Sequence, residues 1–237
     1  MKILAIDTSN QPLVVSLAEN DKLLDQYETN VPRNHSVDLL PAIQRVLATA
    51  GWSFQGLDRI AVAQGPGSFT GLRIGITVGK VLADMLKIDL VGVSSLAVLA
   101  EQVPGDGIVV PLFDARNDNV FAGVYQAGQN LYPDGHYPLK QVLTFLAEQE
   151  GPITFIGDGQ HFTEQIKAAL PKQVLTILAE GDSLPDGKGI ITLAQQAQPV
   201  ANVADFNPNY LRKTQAELNW LNEHPGEDHP ENYVFEV

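Results

Sequence analysis

Asp7 closes the apolar run ILAI and is followed by Thr8 and Ser9. A carboxylate at the end of a strand can hold a divalent metal or orient a water, and it can equally accept the N–H groups of the turn that follows it. Both readings are open, although no glycine follows Asp7 to let a phosphate come close to the backbone. The second candidate is GPGSFTG, Gly65 to Gly71, after the apolar run RIAVA. A glycine-rich turn that opens a helix offers unpaired N–H groups and the positive end of a dipole to an anion. Its spacing fits neither named nucleotide signature: Gly65, Gly67 and Gly71 do not form G-x-G-x-x-G, and no G-x-x-x-x-G-K-[ST] is present. The competing reading is a plain strand-to-helix turn in which Ser68 caps the helix.

Other chemistry is sparse. The chain has no cysteine, which rules out disulfides, thiolate catalysis and cysteine-ligated zinc. Its five histidines, His35, His136, His161, His224 and His229, include no pair at the i, i+4 spacing of a helical zinc site. GVSSLA misses G-x-S-x-G because Leu96 stands at the second glycine, so Ser94 or Ser95 reads as a helix cap. Arg33, His35, Arg73 and Arg116 are isolated polar candidates for a ligand. The expectation is a chain with no catalytic residues and no metal site of its own.

The formal net charge of -13 argues against unaided binding to nucleic acid or an anionic membrane, which are held by clustered Lys and Arg. Any RNA must be reached through a more basic partner. The beginning MKILAIDTS lacks the long apolar stretch of a signal peptide, and no segment has the length of a membrane span. A cytoplasmic protein is expected.

Elements that would position these residues repeat along the chain. Ile3 to Ile6, Leu13 to Ala18 and Leu23 to Tyr27 read as three strands joined by tight turns, and Ile108 to Phe113, Val120 to Tyr125 and Asn130 to Tyr132 repeat the pattern, with Asp114 closing the first strand as Asp7 does. LDRIAVAQGPGSFTGLR and GPITFIGDGQHFTEQIK then each read as strand, Gly-x-Gly turn and helix start. Three strands, helix, strand, helix, used twice, predicts two similar lobes, 1–103 and 104–237, divided near VPGDG. The segment after about residue 205 is expected to pack back on the first lobe. Helices are predicted over Ser36 to Ala50, Ser68 to Leu86, Ser95 to Gln102, Leu139 to Gln149, Phe162 to Leu170 and Leu184 to Ala197, and the acidic, proline-bearing tail from His224 is expected to be loosely ordered.

One helix is unusual. Gly71, Gly75 and Gly79 recur every fourth residue, each costing about 1 kcal/mol relative to alanine in a helix interior. That spacing makes a bare stripe that another backbone can approach closely, flanked by Leu72, Val78 and Leu82. The preceding helix places Leu39, Leu40, Ile43, Val46 and Leu47 at helical spacing over more than a narrow stripe, and Pro41 is expected to fix or kink its start. Two readings stand: the helices pack only on their own sheet, or they leave surface for another chain.

LAIDTS, HSVDLLPAI, GPGSFTGLRIG, DAR, GDG and NPNYLR, in this order along nearly the whole chain, resemble the TsaB (YeaZ) family of bacterial tRNA threonylcarbamoyl-adenosine modification, with GPGSFTGLRIG the most specific match. The resemblance implies an α/β chain with the actin-like ATPase superfold, built from two ribonuclease H-like lobes with mixed sheets flanked by helices. It implies a non-catalytic subunit that binds and activates a TsaD-like catalytic paralogue, with a TsaE-like ATPase as a further partner. ATP and metal then belong to the partner subunit, tRNA is met only through the complex, and dimerisation, as homodimer or with the paralogue, uses the first two helices. Carried onto this sequence, the interface is His35, Ser36, Leu39, Leu40, Ile43, Leu47, Gly71, Leu72, Gly75, Val78, Gly79 and Leu82. Asp7, Gly65 and Gly67 become degenerate positions of the superfold's nucleotide site. No protease activity is expected despite the glycoprotease-like label of the family, and DARNDNVFAGVY departs from the glycine-glutamate pair expected after DAR. The rival is a small-molecule kinase of the same superfold that binds Mg-ATP between the lobes.

Overall fold

The structure, a computed structural model, describes residues 1–30, 35–179, 181, 184–212, 220 and 224. Strands β1 (Lys2–Asp7), β2 (Leu13–Glu19), β3 (Lys22–Thr29), β4 (Arg59–Gly65) and β5 (Asp89–Ser94) form one sheet in the order β3-β2-β1-β4-β5. Strands β6 (Ile108–Asp114), β7 (Asn119–Gln126), β8 (Gln129–Pro138), β9 (Ile153–Gly157) and β10 (Leu175–Ile177) form a second, β10-β9-β6-β7-β8. Read from the hairpin edge, the two orders are the same. In each, three antiparallel strands are followed by two that pair in parallel. The expected repeat therefore contains one more strand per lobe, β5 and β10.

Central strands carry near-continuous apolar runs because both faces of each sheet are covered. Helices α1 (His35–Ala50) and α2 (Phe69–Leu86) cover one face of the first sheet, where Leu39, Ile43, Val46 and Ile76 pack with Leu4, Ile6 and Val62. Helices α4 (Leu139–Ala147) and α5 (Thr163–Ala169) do the same for the second. The opposite faces are covered crosswise. Helix α3 (Ser95–Ala100), directly after the first sheet, sends Leu96 and Leu99 into the second sheet's core, while α6 (Gly187–Gln196) returns Ile190, Ile191 and Ala194 to Ile3, Ala5 and Val91 of the first. The return to the first lobe thus starts at Gly187, earlier than the expected residue 205. Arg59 secures it: the guanidinium donates to Ala194 O at 2.7 Å and Ala197 O at 3.2 Å and pairs with Asp89 at 2.8 Å. A cation there also meets the negative end of the α6 dipole.

Caps are largely where the sequence put them. Ser68 Oγ accepts the Gly71 N–H at 3.2 Å, and Ser94 Oγ accepts those of Leu96 and Ala97 at 3.2 Å each. The run Asn130 to Tyr132 lies near the start of a longer strand, β8, and Pro41 lies inside α1 on its exposed side. No helix among the described residues is long and apolar enough to cross a membrane. Arg33, His229 and most of the tail lie outside the described residues.

Candidate functional site

The carboxyl ends of the inner strands gather the motifs. At the end of β1, Asp7 is fully buried and its Oδ1 accepts the Ser9 N–H at 2.7 Å, the turn-capping alternative. Burial raises its pKa from the ordinary carboxylate value, against the hydrogen bond from the Ser9 N–H and the nearby His35. Asp7 Oδ2 and Ser9 Oγ have no hydrogen-bond partner among the described residues. His35 Nε2 stands 3.0 Å from Asn10 O, so α1 begins against the same turn.

The glycine loop after β4 is sewn to that turn. Ser68 N donates to Ser9 O at 2.6 Å and Thr8 Oγ1 donates to Gly71 O at 2.7 Å. A Cβ on Gly67 would overlap the Ser9 carbonyl oxygen, and one on Gly71 the Thr8 carbonyl oxygen. In this chain the close approach that glycine permits is made by the carbonyls of residues 8 and 9. Asp7, Gly65 and Gly67 are brought to the same end of the sheet, on the paired strands β1 and β4 and the loop that follows.

A strap, residues 206–212, lies in the segment after about residue 205 and covers this end of the sheet through contacts that sequence reasoning did not specify. Phe206 is buried in the first core beneath Gly92. Gln64 donates its side-chain amide to Asn207 O at 2.8 Å, and Asn209 N donates to Gln64 O at 2.8 Å. A Cβ on Gly65 would come within 2.7 Å of Asn209 O. Next, Tyr210 stacks on Phe69 at 4.7 Å and accepts from Arg73 Nε at 2.8 Å. Arg212 finally reaches the second lobe, where its Nη1 donates to Ala115 O at 3.1 Å. In open α/β sheets ligands enter outside the carboxyl ends of the strands; in this fold GPGSFTGLR, NPNYLR and DAR meet one another at those ends. In the sequence NPNYLR was a motif within the segment after about residue 205, with no contacts assigned to it.

In the second lobe Asp158 of GDG accepts the Asp114 N–H at 2.8 Å and Asp114 accepts that of Arg116 at 2.7 Å. Arg116, Asn117 and Asp118 are three successive left-handed residues, with φ of 68, 52 and 55°, a costly run for side chains other than glycine. Ser94 is a cap, and its hydroxyl also donates to Asp134 on β8, which accepts from Tyr125 at 2.6 Å. This polar cluster joins the two lobes. Among the described residues no three His, Asp or Glu side chains converge as a metal site would require.

The glycine stripe requires a correction. Gly71 and Gly75 press on Thr8 and Ile6, and Gly79 on Val62, Leu90 and Ile60, so the bare ridge is filled by the chain's own sheet rather than left for another polypeptide. Leu39, Ile43, Leu47 and Leu72 are likewise buried in the chain's own interior. The helices can approach β1 and β4 closely only because no Cβ intervenes. What remains outward is different: Val37 (62% exposed) and Leu40 (50%) on α1, Val81 (50%) and Met85 (75%) on α2. His35, Ile74, Val78 and Leu82 are half-buried beside them and Ser36 is exposed. On α2, positions 74, 78, 81 and 85 follow helical spacing, a second stripe beside the glycine stripe.

Two lobes, each a five-stranded mixed sheet of the same order flanked by helices, define the doubled ribonuclease H-like arrangement of the actin-like ATPase superfold. A family model described as "TsaD: tRNA N6-adenosine threonylcarbamoyltransferase" matches residues 17–220. The tRNA threonylcarbamoyladenosine biosynthesis protein TsaB of Bacillus subtilis (strain 168) is 37% identical over 228 residues, 93% of this chain and 98% of that protein. TsaB of Escherichia coli (strain K12) is 37% identical over 133 residues, 55% of this chain and 57% of its own length. Among solved structures, YeaZ from Pseudomonas aeruginosa superposes with a TM-score of 0.72 at 28% identity, covering 89% of this chain and 99% of that one. The chain belongs to the TsaB (YeaZ) family.

Proposed function

We propose that this chain is a non-catalytic subunit of the machinery that makes N6-threonylcarbamoyladenosine at position 37 of tRNA, and that it binds and activates a TsaD-like catalytic paralogue. The observation that carries this reading is the outward face of α1 and α2. Val37, Leu40, Val81 and Met85 expose large apolar side chains in neighbouring helices of a chain with a net charge of -13. Large apolar side chains left exposed on neighbouring surface helices are the material of protein docking surfaces. A non-catalytic role is supported by the glycine loop itself, whose Gly67 and Gly71 serve to admit the Ser9 and Thr8 carbonyls.

Activation is a matter of differential binding: a subunit that prefers the competent conformation of its partner raises that population. ATP and metal sit in the partner, a TsaE-like ATPase joins the assembly, tRNA is met through the complex, and the same face also supports a homodimer.

Mixing the chain with the TsaD-like subunit of the same organism and measuring sedimentation tests the proposal. A heterodimer that Leu40→Asp and Met85→Asp each abolish is expected; assembly indifferent to both overturns the docking face. Calorimetry with Mg-ATP on the isolated chain tests the kinase alternative, for which saturable millimolar or tighter binding is required.

A further inference from the structure

Arg73 is exposed on α2, yet its guanidinium is held in place. Its centre lies 4.0 Å from the centroid of the Phe69 ring, and its Nε donates to the Tyr210 hydroxyl at 2.8 Å. The Phe69 and Tyr210 rings stack at 4.7 Å while staying 41% and 39% exposed. The two terminal nitrogens of Arg73 donate to no group among the described residues. The other cations of the helix are engaged: Lys80 donates to Ala204 O at 2.6 Å and Lys87 pairs with Asp84 at 2.9 Å. Arg73 is therefore an oriented fork of donors with no counter-charge among the described residues, on the flank of α2 that meets the strap and borders the helix's exposed side.

We infer that Arg73 is a pre-oriented anchor for a carboxylate of the protein partner that docks on that face, an inference that rests on the docking reading above. A guanidinium forks onto a carboxylate through two parallel N–H···O bonds. One already fixed by an aromatic ring and a hydroxyl loses less rotamer freedom on binding than a free side chain does. The same chemistry does not suit an RNA backbone, which needs several cations in register. The outward neighbours of Arg73 one turn away on α2 are Thr70 and Thr77, and the next cation along that flank, Lys80, is two turns on and already donates to Ala204 O. Arginine against exposed aromatics is also the composition of interface anchors.

The test is titration calorimetry of the full chain against the TsaD-like subunit at low and high salt. Arg73→Gln is expected to weaken binding about tenfold, in the range of a charge-assisted pair, and to flatten its salt dependence. Arg73→Lys recovers only part of the loss, because it restores the charge without the fork. Tyr210→Phe keeps the charge and the stacked ring and loses only the orienting hydroxyl, so it weakens binding less than Arg73→Gln. Leu40→Asp reports on the docking face itself. If Leu40→Asp abolishes binding while Arg73→Gln binds as wild type, the anchor is refuted and the face survives. If Tyr210→Phe costs as much as Arg73→Gln, Arg73 serves only to hold the strap, and the anchor is again refuted. Unchanged binding by Leu40→Asp removes the face and the anchor together. Binding of tRNA to the isolated chain that Arg73→Gln abolishes reassigns the residue to RNA and overturns the inference.

Discussion

Thr8 donates its hydroxyl to the Gly71 carbonyl at 2.7 Å, and the Thr8 carbonyl oxygen occupies the space that a side chain on Gly71 would need. This one relationship explains why a helix accepts glycine every fourth residue. The penalty in helix propensity is offset by seating α2 directly on β4 and on the end of β1, which buries Leu72 and Ile76 and pins the Asp7 turn.

Gly71→Ala should therefore destabilise the fold by about 2–3 kcal/mol, the range for overpacking a tight contact, although alanine is the better helix former. Urea denaturation measures this. A variant as stable as wild type would show that β1 and α2 can separate at little cost. Gly75→Leu, which would drive a larger side chain into the hydroxyl of Thr8, should fail to fold rather than fail selectively in assembly.

Asp7 makes stability depend on pH with a definite sign. Burial raises its native pKa, so the folded state holds the proton more tightly than the unfolded state. Stability contributed by this group is complete below the ordinary carboxylate value of about 4 and is lost as pH rises through the higher native value. Asp7→Asn lacks the effect. Denaturation of both proteins across that window should show Asp7→Asn gaining on wild type as pH rises; parallel curves would contradict it.

Phe206 anchors the strap beneath Gly92. Phe206→Ala should cost about 3–5 kcal/mol, as for other buried aromatics. It should also free residues 207–212 from Gln64 and Phe69, so that limited proteolysis cuts there faster than in wild type. Equal cleavage rates would mean that Asn209 and Tyr210 hold the strap without it.

Asp134 accepts the hydroxyls of Ser94 and Tyr125 across the lobe junction. Asp134→Ala removes the acceptor of both hydroxyl protons, while Ser94 Oγ still accepts from Leu96 and Ala97, and should destabilise by about 1–3 kcal/mol for each hydroxyl proton that stays dry. Asp134→Asn, which keeps one acceptor oxygen, should lose less. Thermal melts of the two variants give the order, and a reversed order would mean that the charge of the carboxylate is itself unfavourable there.

How much was legible in advance follows the range of the forces involved. Alternating and continuous apolar runs revealed the hairpins and most helices, the serines at 68 and 94 announced themselves as caps, and the internal echo foretold two lobes, because all of these are set by neighbours in sequence. The short strand β10 and the later-placed β5 escaped, since each is defined mainly by pairing with an existing sheet edge. The direction of the glycine stripe was undetermined for a physical reason: a bare ridge reads identically whether it faces its own β1 or a foreign helix, and only the distance to Thr8 and Val62 decides. The contacts of the strap were equally invisible, because Arg73 and Tyr210 are 137 residues apart and no periodicity links them. Local chemistry thus determined the parts and their repetition, while long-range packing alone decided which surfaces were consumed in making the molecule and which were left outward.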